Sequence, residues 1–120
     1  MDPLRILVVE DDALIGMLLA ELLAHMGHDV CAIEATEADA VAAAIRCRPQ
    51  MMIVDVMLGD GSGVAAVEEI SHTAPVPHVF VSGDTSIVQS LRPGAVVIRK
   101  PYRELDLAQA MQRAMAAAAA

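Results

Sequence analysis

Aromatic residues are almost missing from this chain: it has no tryptophan, one tyrosine (Tyr102) and one phenylalanine (Phe80) in 120 residues. A core without aromatic anchors has to be aliphatic, and the 56% of hydrophobic residues, inflated by alanine, leaves Val, Ile, Leu and Met to build it. Cations are scarce as well. Eight Lys and Arg face sixteen Asp and Glu, and the resulting formal charge of −8 opposes the phosphate-counterion displacement on which nucleic-acid binding depends. Apolar runs stop well short of the roughly 18–20 residues of a membrane helix, and Met1-Asp2-Pro3-Leu4-Arg5 lacks a basic segment followed by an apolar one. A soluble, cytoplasmic protein with no membrane or nucleic-acid partner is expected. Two cysteines, Cys31 and Cys47, are read as reduced thiols serving as small buried hydrophobes. With no linker or internal repeat, residues 1–120 are expected to form one domain, whose Ala116–Ala120 tail is read as a frayed helical end or a boundary of the segment.

What the sequence does have is alternation. Ile6-Leu7-Val8-Val9 is a continuous apolar run stopped by Glu10-Asp11-Asp12, the pattern of a strand buried on both faces that ends at a polar rim. Leu14, Met17, Leu18, Leu22 and Met26 then recur at helical spacing, with Asp12 as N-cap and Gly27 as stop. Asp29 to Ile33 reads as a strand, and Thr36 caps a helix from Glu37 to Cys47 closed by Pro49. Met51 to Val54 repeats the first strand and ends in Asp55, followed by a loop carrying Gly59, Gly61 and Gly63 and a helix from Val64 to Ser71. Strands over Val76–Val81 and Ala95–Ile98 flank a short helical piece around Ser86–Leu91, and a last helix spans Arg103–Met115. The eight methionines fall on core periods and are read as packing.

Five strands alternating with five helices predict an α/β fold built on a parallel sheet with right-handed crossovers. Ligands bind such sheets outside the carboxyl ends of the strands, and that edge collects Glu10, Asp11, Asp55, Ser82 and Lys100. Three converging carboxylates repel one another unless a cation or a proton intervenes. Mg²⁺ suits them, because it takes one or two carboxylates and completes its shell with water and phosphate oxygens. Asp55 is then a nucleophile toward a phosphoryl group, with Lys100, the only lysine in the chain, and Ser82 contacting the other oxygens. The same crowding predicts that Asp55→Asn stabilises the metal-free protein by about 1 kcal/mol.

Four pieces in order, Ile6-Leu7-Val8-Val9-Glu10-Asp11, Ile53 to Leu58 with Gly63 beyond, Val81-Ser82-Gly83 and Arg99-Lys100-Pro101-Tyr102, resemble the receiver domain of response regulators over nearly the whole chain. The resemblance implies a flavodoxin-like, doubly wound five-stranded sheet of order 2-1-3-4-5. It implies that Glu10 and Asp11 serve Mg²⁺, that Met57 lends it a backbone carbonyl, and that Asp55 takes phosphate from a histidine kinase or histidine phosphotransferase. It also implies that Ser82 follows the phosphoryl group, that Lys100 pairs with it, and that a cis bond precedes Pro101. Output is expected through contact of an effector protein with the fourth helix, fifth strand and fifth helix, because no effector segment follows.

The chain departs from the family at Val97, where a switch aromatic usually stands, and at Gly59, usually proline. The interval between Ser82 and Lys100 is also short, which predicts a truncated fourth helix. These features resemble a stand-alone subgroup with a Phe-Ala-Thr-Gly signature, here Phe80-Val81-Ser82-Gly83.

Three other functions compete. A haloacid-dehalogenase-like phosphatase needs a second Asp where Met57 stands. A dinucleotide-binding domain needs a glycine-rich turn where Glu10-Asp11-Asp12 would repel pyrophosphate. A receiver-like module working without phosphorylation is opposed by the intact acids and Lys100 but favoured by Val97. None of His25, His28, His72 and His78 has metal-ligand spacing, and they are read as surface or satisfied structural residues.

Overall fold

The computed structural model describes residues 2–84, 86 and 93–119. In chain order its strands are β1 (Arg5–Val9), β2 (Asp29–Glu34), β3 (Met51–Asp55), β4 (Met57–Leu58), β5 (Gly61–Ser62), β6 (His78–Ser82) and β7 (Val97–Arg99). The helices are α1 (Ala13–His25), α2 (Glu37–Cys47), α3 (Gly63–Thr73) and α4 (Glu104–Ala119). Five strands form one parallel sheet in the order β2-β1-β3-β6-β7, the arrangement predicted. The predicted glycine loop after Asp55 is more structured than expected. It is a small antiparallel hairpin in which Met57 faces Ser62 and Leu58 faces Gly61, turned over Gly59 and Asp60 with Gly59 at φ 58°.

The unbroken apolar strands divide their side chains between two cores. Ile6, Val8, Met51, Ile53, Val79 and Val81 meet Leu19 and Leu23 of α1 and Leu107 and Met111 of α4. Their sequence neighbours Leu7, Val9, Met52, Val54 and Phe80 meet Ala40 and Ala43 of α2 and Val64, Val67 and Ile70 of α3. This is the two-residue period of a strand covered on both sides. Helix starts follow their caps: the Asp12 carboxylate accepts the Ile15 N–H at 3.0 Å, and the Thr36 hydroxyl accepts that of Asp39 at 3.1 Å. Helix α2 ends without glycine, on Arg48 in the left-handed region (φ 48°). There the Arg5 guanidinium bonds the carbonyls of Cys47 and Arg48, occupying orphan acceptors of the last turn.

Helix α1 is where periodicity misleads. Leu14, Met17 and Leu18, from the stripe that identified it, are 66%, 56% and 56% exposed, while Gly16, Leu19 and Leu23 face the sheet. The helix is apolar almost all round, so spacing reveals a helix but not which side turns inward. Gly16 decides that side, because a β-carbon there would stand 2.9 Å from Ile33 Cγ2 on β2. Met17 and Met57 are therefore surface residues and not packing.

Helix α4 runs through the alanines to Ala119, beyond the predicted Met115, as alanine's helix propensity favours. The predicted helical piece at 86–91, and with it the expected truncation, lies outside the described residues except for Ser86. Val97 is half-buried and pairs in register with Phe80. His28 is buried, with Nδ1 accepting the Leu4 N–H at 3.0 Å, and His78 packs edge-on against Phe80, both structural roles as read.

Candidate functional site

Two strand ends deliver the three acids. Glu10 follows β1 and is buried, Asp11 beside it is exposed, and Asp55 closes β3, also buried. One carboxylate oxygen from each lies within 4.8 Å of the others. Lys100, just past β7, reaches in from a third strand end, its Nζ 2.5 Å from Asp55 Oδ2 and 3.6 Å from Glu10 Oε1. The Lys100 N–H is anchored on the Ser82 carbonyl at 3.0 Å, and the Lys100–Pro101 bond is cis. Glu10, Asp11, Asp55, Met57, Ser82 and Lys100 all line one open cleft of about 410 Å³.

Each acid is held in its own way. Asp55 Oδ1 accepts the Met57 N–H at 2.9 Å, and Glu10 Oε2 accepts that of Asp12 at 3.0 Å. The N–H and C=O of one strand residue point to the same edge, so the Met57 carbonyl faces the way its N–H does, toward Asp55. Burial pushes the Glu10 carboxyl up to about 7, with a further rise from Asp55 and Asp11 against the lowering effect of the Asp12 N–H. Burial works against the Lys100 charge too, but the Asp55 and Glu10 carboxylates outweigh it and hold the ammonium above its usual range. Tyr102 lies under the cleft against Glu10, Asp55 and Lys100, and burial raises its phenol.

Three carboxylates against one ammonium leave the cluster short of positive charge, with two of the acids buried. The donors are all hard oxygens. Two ligands of one Mg²⁺ stand at most about 4.2 Å apart, so oxygens within 4.8 Å need only a sub-ångström closure. The residues present fit that ion. The structure does alter the expectation for Asp55→Asn: losing the Lys100 pair offsets the relief of repulsion, so little net stabilisation is left. No cation pairs with Asp11 among the described residues, which makes it the better probe. Asp11→Asn is expected to stabilise the metal-free protein by roughly 0.5–1 kcal/mol after solvent screening, and to abolish the rise in melting temperature expected of the wild type if Mg²⁺ binds there. A variant that melts below the wild type without metal would contradict the crowding.

Ser82 is in the cleft but turned to its own loop, where its hydroxyl donates to the Asp84 carbonyl at 2.9 Å and accepts the Asp84 N–H at 3.0 Å. Two contributors escape sequence reasoning. Tyr102 was legible only as part of the Arg99–Tyr102 run, and Glu37, on α2, bonds the Ser62 N–H of the hairpin with no sequence signal linking them. Cys31 and Cys47 are free thiols, half-buried where the sequence reading had them buried; Cys47 Sγ donates to the Cys31 carbonyl at 3.7 Å, and burial, then Cys47, pushes the Cys31 thiol up to about 11.

A family model described as the response regulator receiver domain matches residues 6–112. The chain is 32% identical over 115 residues to the phyllosphere-induced regulator PhyR of Methylorubrum extorquens, covering 92% of this chain and 43% of that protein. It is 30% identical over 117 residues to the transcriptional regulatory protein PdtaR of Mycobacterium tuberculosis, covering 94% and 57%. The chain thus spans about half the length of these curated relatives. Among solved structures, the receiver domain of Erythrobacter litoralis PhyR superposes with a TM-score of 0.84 at 30% identity, covering 96% of this chain and 92% of that one.

Proposed function

The chain belongs to the response regulator receiver family of two-component signalling, and from that membership we propose that Asp55 is its phosphoacceptor, working with Mg²⁺. The observation that carries this reading is the buried Asp55 carboxylate, with Lys100 Nζ at 2.5 Å and Glu10 and Asp11 beside it. An Asp55 oxygen attacks the phosphorus of a donor phosphohistidine; the P–O bond forms as the P–N bond breaks, and the imidazole leaves and takes a proton from solvent. Bound at Glu10, Asp11, Asp55 and the Met57 carbonyl, Mg²⁺ would offset charge on the transferring group. Met57 N–H holds one Asp55 oxygen and so fixes the carboxylate plane. Lys100 moves its charge from Asp55 to a phosphoryl oxygen, and Ser82 exchanges its Asp84 bonds for another.

The donor on this reading is a histidine kinase or histidine phosphotransferase. The effector meets β7 and α4, the described part of the face named from the sequence. The chain is a regulator and not a turnover enzyme, acting in the cytoplasm as one receiver domain. Among the described residues no helix is long and apolar enough to cross a membrane.

Incubation with acetyl phosphate and Mg²⁺ followed by intact mass tests the reading. One phosphoryl increment is expected, and it should be lost with a chelator. Its absence under both conditions would favour a module acting by binding alone, as Val97 at the switch position suggests, while rapid hydrolysis of small phosphomonoesters would point to a phosphatase.

A further inference from the structure

The hairpin after Asp55 has little to hold it. Its strands are two residues each, shorter than a hairpin needs for stability of its own, and it carries Gly59 and Gly61 with no proline. Yet Met57 on β4 orients the Asp55 carboxylate, so wherever the hairpin sits, the phosphoacceptor follows. Its base is fixed by the Gly63 N–H on the Val56 carbonyl at 2.9 Å, and Leu58 is buried beneath it. Bonded and unbonded pairs alternate along an antiparallel ladder, so the next pair, Met57 with Ser62, is unbonded and the Ser62 N–H faces outward. That part-buried donor is taken by Glu37 Oε2 at 2.7 Å, from a helix 25 residues away in sequence.

The contact is built on both sides. A β-carbon on Gly61 would stand 2.7 Å from the same Glu37 oxygen, so only glycine lets the carboxylate lie against the strand. Thr36 caps α2 and thereby sets the first turn from which Glu37 reaches. Ser62 in turn caps α3, its hydroxyl accepting the Ala65 N–H at 3.2 Å. One carboxylate therefore joins the start of α2, the outer edge of the hairpin and the start of α3. A bond to a charged acceptor is about twice as strong as a neutral one, and removing it leaves a part-buried N–H unsatisfied.

The geometry points to Glu37 as a positioning residue for the phosphoacceptor site, bracing the hairpin so that Met57 holds Asp55 and presents its own carbonyl to the divalent ion. This rests on the Mg²⁺-dependent reading of Asp55 given above. Glu37 touches neither the ion nor the phosphoryl group; it acts through the Ser62 N–H.

Calorimetric titration of the full chain with Mg²⁺, with amide hydrogen exchange at Met57 and Ser62 in the absence of metal, tests it. Glu37→Ala should weaken Mg²⁺ binding about tenfold, the lower end for groups that orient metal ligands, and should speed exchange at Ser62. Glu37→Gln keeps an oxygen acceptor without the charge and should recover most of both effects. Gly61→Ala pushes the carboxylate away and should mimic Glu37→Ala, whereas the double variant should be no worse than Glu37→Ala alone, because the clash then has no partner. Wild-type affinity in Glu37→Ala overturns the inference, as does an equal loss in the Ala and Gln variants, which would mean that only charge matters. A wild type that binds no Mg²⁺ overturns the phosphoacceptor reading and this one with it, and the wild-type titration identifies that case.

Discussion

Asp55→Asn is expected to abolish the phosphoryl increment that the proposed function predicts for the wild-type chain with acetyl phosphate and Mg²⁺. The substitution is nearly isosteric, and the amide oxygen can still accept the Met57 N–H that Asp55 Oδ1 accepts at 2.9 Å, so the fold should persist. What disappears is the anionic nucleophile: an amide oxygen neither attacks phosphorus usefully nor leaves a stable acyl phosphate. The Lys100 ammonium loses its 2.5 Å partner and keeps Glu10 at 3.6 Å, so its charge is not stranded. Circular dichroism should match the wild type while intact mass shows no labelling. Labelling retained at the wild-type rate would place the acceptor on another residue.

Gly63→Ala should be the most destabilising small substitution near the site. A β-carbon there would lie 2.0 Å from the Asp55 carbonyl oxygen and 2.7 Å from Val54 Cγ1. The nearer atom is backbone, which no rotamer change can move, and Gly63 is also the first residue of α3 with its N–H fixed on Val56. Either α3 must lift off the sheet or the end of β3 must shift, and both routes disturb Asp55. A loss of about 3 kcal/mol is expected, which for a domain of this size lowers the melting temperature by roughly 10 °C. Denaturant unfolding should show the midpoint fall at an unchanged slope, with labelling slowed even where the variant is folded. Gly83→Ala is the control, since a β-carbon there meets nothing within 4 Å among the described residues and the change should stay within about 0.5 kcal/mol. Equal midpoints for the two variants would show that α3 does not press on β3 as described.

Much of this architecture could be read along the chain because the signals are local. Apolar runs that break at Glu10 and Asp55 mark strands ending at a polar rim, and Asp12 and Thr36 mark helix starts through bonds only three residues long. The alternation gave a parallel sheet whose strand ends share one rim, and the resemblance to receiver domains gave the strand order that brings Glu10, Asp11, Asp55 and Lys100 together. What stayed hidden depends on distant contacts or on competition between equivalent choices. Helix α1 offers apolar residues on every side, and the decision rests on how closely Gly16 meets Ile33. The hairpin over Gly59 and Asp60 leaves too few residues for any period to register. The Ser82 hydroxyl chooses between its own loop and the cleft by a rotamer, and the Glu37–Ser62 bond joins residues whose spacing carries no pattern.

If Asp55 is the phosphoacceptor proposed above, the outward stripe of α1 has a consequence for a protein that would deliver the phosphoryl group. Leu14, Met17 and Leu18 stand exposed beside Ile15, which itself lines the cleft with Asp55, and Met57 rises from the hairpin on the same rim. A protein approaching Asp55 over this rim therefore meets greasy, deformable side chains where the chain's overall acidity would suggest an ionic handshake. Its grip should show a negative heat-capacity change and vary little with ionic strength, whereas acetyl phosphate, too small to touch the stripe, would ignore it altogether.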